Sequence, residues 1–174
     1  IARRALCLSA GPHRRRGGRA PGPRAARPPT GPHDRMRGAF LLRRLSQAPL
    51  VATHSCAWAL SPSPRNLTDR QLDAVRDSGG LVGINFHKGF LRSDGDPKSP
   101  ASVTEIARHA RYVAERIGVE HVALGSDFDG AVMPDDLPDV AALPAVMEAL
   151  RNAGFGDTDL RLVGTGNWLR VLRA

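Results

Sequence analysis

Three short apolar runs, separated from one another by helical patterns, set the strongest limit on how this chain of 174 residues can fold. The runs are residues 49–54, 81–86 and 121–126, and each has the length and apolar content of a buried strand. The helical patterns lie at 67–79, 103–117, 139–152 and 157–172. Apolar strands that alternate with amphipathic helices are typical of a parallel sheet covered by helices. The sequence therefore predicts an α/β protein.

Polar residues stand at or just past the end of each predicted strand. They are His54, Asn85, His87, Asp127 and Asp129. In parallel α/β folds, chemistry gathers where strands end and loops begin. A histidine and a carboxylate on neighbouring strand ends suit a metal-assisted hydrolase, because neutral imidazole binds zinc and the metal acidifies a bound water. From these residues alone, a structural histidine and a simple Asp-Gly turn remain alternatives.

Other catalytic signatures are missing from the sequence. It contains no Gly-x-Ser-x-Gly elbow, no phosphate-binding loop and no dinucleotide fingerprint. Ser55 follows His54 directly, and neighbouring residues of a strand point to opposite faces, so the two do not form a nucleophile–base pair. The two cysteines, Cys7 and Cys56, provide no disulfide framework, and Cys56 is expected to be a buried thiol.

All of the excess charge lies at the start of the chain. The net charge is +8, and residues 1–32 contain eight arginines, six prolines, five glycines and no acidic residue. Residues 33–174 carry 17 basic and 17 acidic residues and are neutral overall. A segment so rich in arginine, proline and glycine cannot bury enough apolar surface to fold. We therefore predict a disordered segment at 1–32 and a folded domain at 33–174.

The segment 1–32 allows three interpretations. It could be an arginine-rich nucleic-acid arm, a transit peptide, or a stretch that is not the native start of the domain. Nucleic-acid binding is disfavoured, because the segment has no aromatic residue for base stacking. No apolar run reaches the ~18–20 residues that span a bilayer, and neither a signal peptide core nor a lipid-anchor signal is apparent. A cytoplasmic location is therefore expected.

Five motifs carry a family resemblance. They are Pro49–Ser55 (PLVATHS), Arg65–Asp69 (RNLTD), Gly80–Phe86 (GLVGINF), Gly125–Gly130 (GSDFDG) and Gly164–Val171 (GTGNWLRV). In order, spacing and content they make residues 46–171 resemble the C-terminal half of the membrane dipeptidase (renal dipeptidase) family of zinc metallopeptidases. The resemblance implies the C-terminal part of a (β/α)₈ TIM-like barrel of the metallo-dependent hydrolase type. It also implies hydrolysis of dipeptides at two zinc ions bridged by a glutamate.

The resemblance implies two metal ligands in this chain. His54 is similar to a zinc ligand of the second metal. The family has another histidine ligand 21 residues earlier, which corresponds to His33 without a gap. The residues around His33, from Gly31 to Asp34, depart from the usual strand-like lead-in, so a chance histidine is the alternative.

The resemblance also implies residues that handle the substrate. Arg65 matches the arginine that holds the C-terminal carboxylate of the dipeptide, and Asp127 matches the acidic residue that transfers the proton in peptide cleavage. Asn85 and Phe90 fall on loop positions that line the substrate pocket, and some members have a tyrosine in place of Phe90. Asn167 is expected to cap the last helix.

Part of the family pattern has no counterpart in this sequence. The first metal of the family is held by a His-x-Asp pair, which occurs nowhere in the chain. The bridging glutamate would precede His33, where there is no acidic residue. A (β/α)₈ barrel typically needs about 250 residues, more than residues 33–174 supply. We therefore expect a fragment that lacks one set of zinc ligands and is inactive alone.

Two interpretations without catalysis stay open. The first is a non-catalytic α/β module with an arginine-rich nucleic-acid-binding arm. The second is an inactive homologue kept for its contacts with other proteins. The enzyme interpretation predicts a dipeptide as the partner, with no nucleic acid and no membrane segment. Self-association into a homo-oligomer is compatible with it, but the sequence does not decide the oligomeric state.

Overall fold

One parallel sheet organises the part of the chain that the computed structural model describes, residues 6–7 and 48–174. The strands are β1 (Leu6–Cys7), β2 (Leu50–Ser55), β3 (Leu81–Ile84) and β4 (Val122–Leu124). The helices are α1 (Asp69–Asp77), α2 (Lys88–Leu91), α3 (Val103–Ile117), α4 (Leu143–Asn152), α5 (Asp157–Arg161) and α6 (Asn167–Leu172). The strands pair in chain order and all pairings are parallel. The predicted α/β class is confirmed.

The first strand lies in the segment predicted to be disordered. Leu6 pairs with Leu50 and Cys7 with Val51, so the chain extends the sheet at these two residues. Both belong to the short apolar run that interrupts the arginine-rich composition. The rest of 1–32 lies outside the described residues, as does His33.

Helices cover both faces of the sheet, as the continuous apolar strands predict. Val82 and Ile84 of β3 lie in the main core with apolar residues of α1, α3 and α4. Leu81 of the same strand lies in a second cluster with Val171 of α6. Alternate residues of a strand face opposite sides of the sheet. The crossovers that parallel strands require are α1, between β2 and β3, and α3, between β3 and β4.

Several element boundaries differ from the sequence prediction. β3 ends at Ile84 and β4 at Leu124, so the last two residues of each predicted strand lie just beyond it. Lys88–Leu91, for which the sequence pattern predicts no helix, forms α2, whose residue Leu91 is fully buried in the main core. The predicted helix 157–172 contains a π-helical turn at Leu162–Gly166. Within the described ranges, none of the helices is long and apolar enough to cross a membrane.

Two buried side chains stabilise the core instead of taking part in chemistry. His109 of α3 is fully buried; its Nδ1 accepts from the Ala57 N–H at 3.1 Å, and its Nε2–H donates to the Leu91 carbonyl at 2.9 Å. Burial lowers the pKa of His109 to about 4, so the neutral ring uses both nitrogens to join α2 and the loop after β2 to α3. Cys56 is buried as expected, and burial raises the pKa of its thiol to about 12.

Asn167, a buried residue, joins the last helix to the start of β4 and the turn before it. Asn167 does not cap α6, because the cap position is Gly166 and no side chain caps the helix. Its Nδ2 instead donates to the carbonyls of Val119 and Val122, at 2.8 and 2.7 Å. Local spacing suggested a cap, but the tertiary packing of α6 against β4 gives this amide two long-range acceptors.

Arg170 of the same helix binds three backbone carbonyls near the N-terminal ends of β3 and β4. Its guanidinium donates to Gly79 O at 2.7 Å, Gly80 O at 3.2 Å and Glu120 O at 2.6 Å. These oxygens belong to the turns that lead into the two strands. The planar fork of an arginine can satisfy several carbonyls at once, which a lysine cannot do.

We expect Arg170→Ala to lower the free energy of unfolding by about 1–2 kcal/mol, because three carbonyls lose a charged donor but remain partly accessible to water. Urea unfolding followed by circular dichroism would measure the loss. Arg173→Ala, which removes an exposed arginine from the same end of the chain, should change the value by less than about 0.5 kcal/mol. Equal effects of the two substitutions would contradict a role for the carbonyl contacts.

Candidate active site

Three of the predicted polar residues meet at the C-terminal edge of the sheet. His54 is the penultimate residue of β2, Asn85 follows β3 directly, and Asp127 stands three residues after the end of β4. Because the strands are adjacent and parallel, their carboxyl ends open onto the same side of the molecule. The structure thus places the predicted polar rim at one edge.

A side-chain hydrogen bond joins the ends of β3 and β4. Nδ2 of Asn85 donates to Oδ2 of Asp127 at 3.1 Å, and Oδ1 of Asn85 accepts from the His87 backbone N–H at 2.6 Å. Asn85 is 0% exposed, whereas Asp127 is half-buried. The amide therefore lies beneath the carboxylate and leaves only the latter open to the cleft.

Asp127 has an unusual backbone. With φ 62° and ψ 34° it is in the left-handed region, and among the described residues no other non-glycine residue has a positive φ. An L-residue in this conformation costs roughly 1–2 kcal/mol, although aspartate tolerates it better than most. Its carbonyl accepts from the Gly130 N–H at 3.0 Å, which closes the turn around the carboxylate. Such conformations persist only where the surroundings hold them.

Arg65 and Phe90 come together on the β2 side of the edge. The Arg65 guanidinium carbon lies 5.4 Å from the centre of the Phe90 ring, a cation–π distance. The Phe90 ring in turn meets the His87 ring edge-to-face, with centroids 4.6 Å apart and an angle of 82°. The aromatic face thus holds the positive charge of Arg65 beside the loop that follows β3.

Asn66, a buried residue without a predicted role, supports the contact between Arg65 and Phe90. Asn66 donates from Nδ2 to Phe90 O at 2.8 Å and to Ser61 O at 2.9 Å, which ties the Arg65 loop to α2. Asn66 is 4% exposed. It stands beside Arg65 in a motif, but no local pattern reveals which distant carbonyls an asparagine will bind.

His87 connects the loop after β3 with the segment after β4. Its Nδ1 accepts from the Val132 N–H at 3.0 Å, while Val132 O, 3.3 Å away, already accepts from the Lys88 N–H at 2.9 Å. Lys88 also forms a salt bridge with Asp135. Together these contacts dock residues 131–135 against the candidate site.

The protonation of His87 responds to both candidate charged residues. Burial is the largest cause that lowers its pKa, the charge of Asp127 raises it, and the charge of Arg65 lowers it. The net pKa lies below the ordinary value of 6.5. Contacts through Phe90 and Asn85 link His87 to Arg65 and to Asp127, respectively.

His54 is half-buried, and its Nδ1 lies 2.7 Å from the Thr53 hydroxyl. Among residues 6–7 and 48–174, no group of three or more His, Cys, Asp or Glu side chains could hold a metal ion. The other predicted ligand, His33, is outside the described residues. His54 is therefore an available ligand, but the described side chains do not by themselves fit a metal centre.

The cleft can bind a small anion and move a proton. A half-buried guanidinium, fixed against an aromatic ring, suits a carboxylate because its donors match both oxygens. The carboxylate of Asp127, held on a buried amide, is placed to accept or release a proton in the same cleft.

We expect the pKa of His87, followed by NMR titration of its ring protons, to lie below 6.5. Because the charge of Asp127 raises this pKa and that of Arg65 lowers it, Asp127→Asn should lower it further and Arg65→Met should raise it. Asp129→Asn, which removes an exposed neighbouring charge, serves as the control. Identical titrations in all variants would contradict the common cleft.

Comparison with known proteins gives a consistent family match. Residues 34–174 match the family model described as membrane dipeptidase (peptidase family M19). The chain is 55% identical over 126 residues to an uncharacterized protein in the pqqA 5′ region of Klebsiella pneumoniae, covering 72% of this chain and 46% of that protein. It is 35% identical over 130 residues to dipeptidase ataJ of Aspergillus terreus, covering 74% and 31%.

A solved structure matches at the level of the fold as well. It is a metallopeptidase from Rhodobacter sphaeroides liganded with a phosphinate mimic of the dipeptide L-Ala-D-Ala, with 46% identity and a TM-score of 0.75. The match covers 78% of this chain and 38% of that one. The predicted partial barrel fold is confirmed by this likeness. The chain spans less than half the length of these relatives.

Proposed function

Because the chain belongs to the membrane dipeptidase family, as its five motifs indicate, we propose that it forms the substrate-binding and proton-transferring part of a dipeptidase. One arrangement carries this proposal. At the C-terminal edge of the sheet, Arg65 and Asp127 are linked by a chain of contacts that runs through Phe90, His87 and Asn85. A cation and a general acid–base linked in this way suit a substrate that has a terminal carboxylate close to its scissile bond, as a dipeptide does.

Arg65 is the proposed anchor for the C-terminal carboxylate. The contact with Phe90 restrains the guanidinium before substrate arrives, which reduces the entropy lost on binding. Phe90 offers a ring face without a hydroxyl, so its contribution is to hold Arg65 and to cover the substrate with apolar surface. Asn66 fixes the Phe90 backbone from below and supports the same contact.

Asp127 is the proposed acid–base residue. It would take a proton from the attacking water and deliver it to the leaving amine, as peptide hydrolysis requires. Its carboxylate is fixed by the Asn85 amide and is half-exposed to the cleft, so it is both oriented and reachable.

Zinc is the metal proposed for the whole protein. In metallopeptidases a bound metal supplies an activated water at neutral pH. His54 is the proposed ligand in the described part of the chain, and His33 is a second candidate. The sequence has no His-x-Asp pair for another metal, so two zinc ions are proposed only for a protein that also supplies those ligands.

A binding measurement can test the anchoring role of Arg65. With the phosphinate mimic of L-Ala-D-Ala as probe and zinc present, we expect Arg65→Met to weaken binding about 10- to 100-fold, the loss of one or two charge-assisted hydrogen bonds. Arg65→Lys should recover part of the affinity, and Arg173→Met should leave it unchanged. Isothermal titration calorimetry gives the comparison. Undiminished affinity in Arg65→Met would rule out the anchor.

An activity assay addresses the metal. We expect the 174-residue chain by itself to show little zinc-dependent hydrolysis of dipeptides, because the family's His-x-Asp pair is missing from its sequence. Zinc bound by the chain should fall when His54 is replaced by alanine, as measured by titration with a metal indicator. Robust turnover on addition of zinc would overturn the expected inactivity while supporting the dipeptidase assignment.

A further inference from the structure

We propose that Asn85 and Gly130 form a cradle that holds the carboxylate of Asp127 in one orientation. Asn85 is then a positioning residue and not a residue that contacts the substrate. The inference rests on the proposed role of Asp127 in dipeptide hydrolysis. It replaces the expectation that Asn85 lines the substrate pocket.

Burial keeps the side chain of Asn85 out of reach of a substrate. The residue is 0% exposed. Its Nδ2 donates to Asp127 and its Oδ1 accepts from the His87 N–H, while its backbone N–H donates to Ser55 O at 3.2 Å. Its carbonyl accepts from the Cys56 thiol at 3.3 Å. Its side-chain amide contacts the candidate site through the Asp127 carboxylate and the His87 backbone.

Gly130 bounds the other oxygen of the same carboxylate. A Cβ at this position would collide with Oδ1 of Asp127. The φ of Gly130 is not in the positive region, so its backbone conformation does not require glycine. What favours glycine here is the Asp127 carboxylate, which an added side chain would displace. The hydrogen bond from Asn85 to Oδ2 and the close approach of Gly130 to Oδ1 together restrict rotation of the Asp127 carboxyl plane.

The backbone of Asp127 supports the same conclusion. Its left-handed conformation turns the chain immediately after the strand end, and the Gly130 N–H bonds back to its carbonyl. The chain thus accepts a local cost at the residue whose side chain the cradle holds. A proton-transfer group gains from such restraint, because a misoriented carboxylate must reorient before it can react.

NMR of the isotopically labelled chain tests the cradle directly. In Asn85→Ala we expect the carboxyl ¹³C resonance of Asp127 to move, because its hydrogen-bond donor is lost. Asn66→Ala is the matched control, since it removes another buried asparagine that bonds elsewhere and should leave this resonance in place. If Asn85 contributed only to stability, Asn85→Ala and Asn66→Ala would have the same effect on the Asp127 carboxyl resonance.

Two further variants keep the test decisive if Asn85→Ala does not fold. In Asp127→Ala, the Asn85 side-chain amide protons should exchange with water at least about tenfold faster, as expected for a lost charge-assisted bond. The exposed Asp129→Ala should leave them unchanged. Gly130→Ala should move the Asp127 carboxyl resonance, whereas Gly164→Ala, where an added Cβ meets only a methionine methyl at 3.8 Å, should not.

The proposal is overturned if the Asp127 resonance and the Asn85 exchange rates in these variants match those of their controls. The measurements need neither substrate nor turnover. They can therefore fail while the binding and hydrolysis assays support the dipeptidase, and they can succeed while those assays reject it.

Discussion

The parallel pairing of β3 with both of its neighbours determines where the strand-end residues His54, Asn85 and Asp127 lie. Val82 pairs with Ala52 on one side and with Val122 on the other. The strand is buried on both faces, so a shift of one residue would exchange the contents of the two cores. At Gly83 an added Cβ would collide with the Thr53 carbonyl, so this position also admits no side chain. A fixed register keeps Asn85 opposite the turn that presents Asp127.

The periodic features could be predicted from the sequence, and the long-range contacts could not. The apolar runs identified β2, β3 and β4, and the same pattern placed His54, Asn85 and Asp127 at one edge, since parallel strands share their carboxyl ends. The roles of Arg65 and Asp127 came from the family motifs.

What the sequence missed has a common physical cause. Asn66 and Asn167 bind carbonyls 5 to 48 residues away, and an amide carries no local mark of such partners. The sequence pattern does not predict the helix Lys88–Leu91, because it is short and is stabilised by burial of Leu91 and not by propensity. The capping prediction for Asn167 failed for the same reason, because tertiary acceptors outcompeted the local one.

At Val132, the segment after β4 is held to the site through backbone groups. The N–H of Val132 donates to His87 and its carbonyl accepts from the Lys88 N–H. Val132 is 50% exposed, and Val140, further along the segment, is 64% exposed. Outward-facing side chains on such a segment can be exchanged without moving Asp127 or His87. The segment beside the site can therefore accept other side chains at Val132 and Val140 while its backbone contacts keep one arrangement.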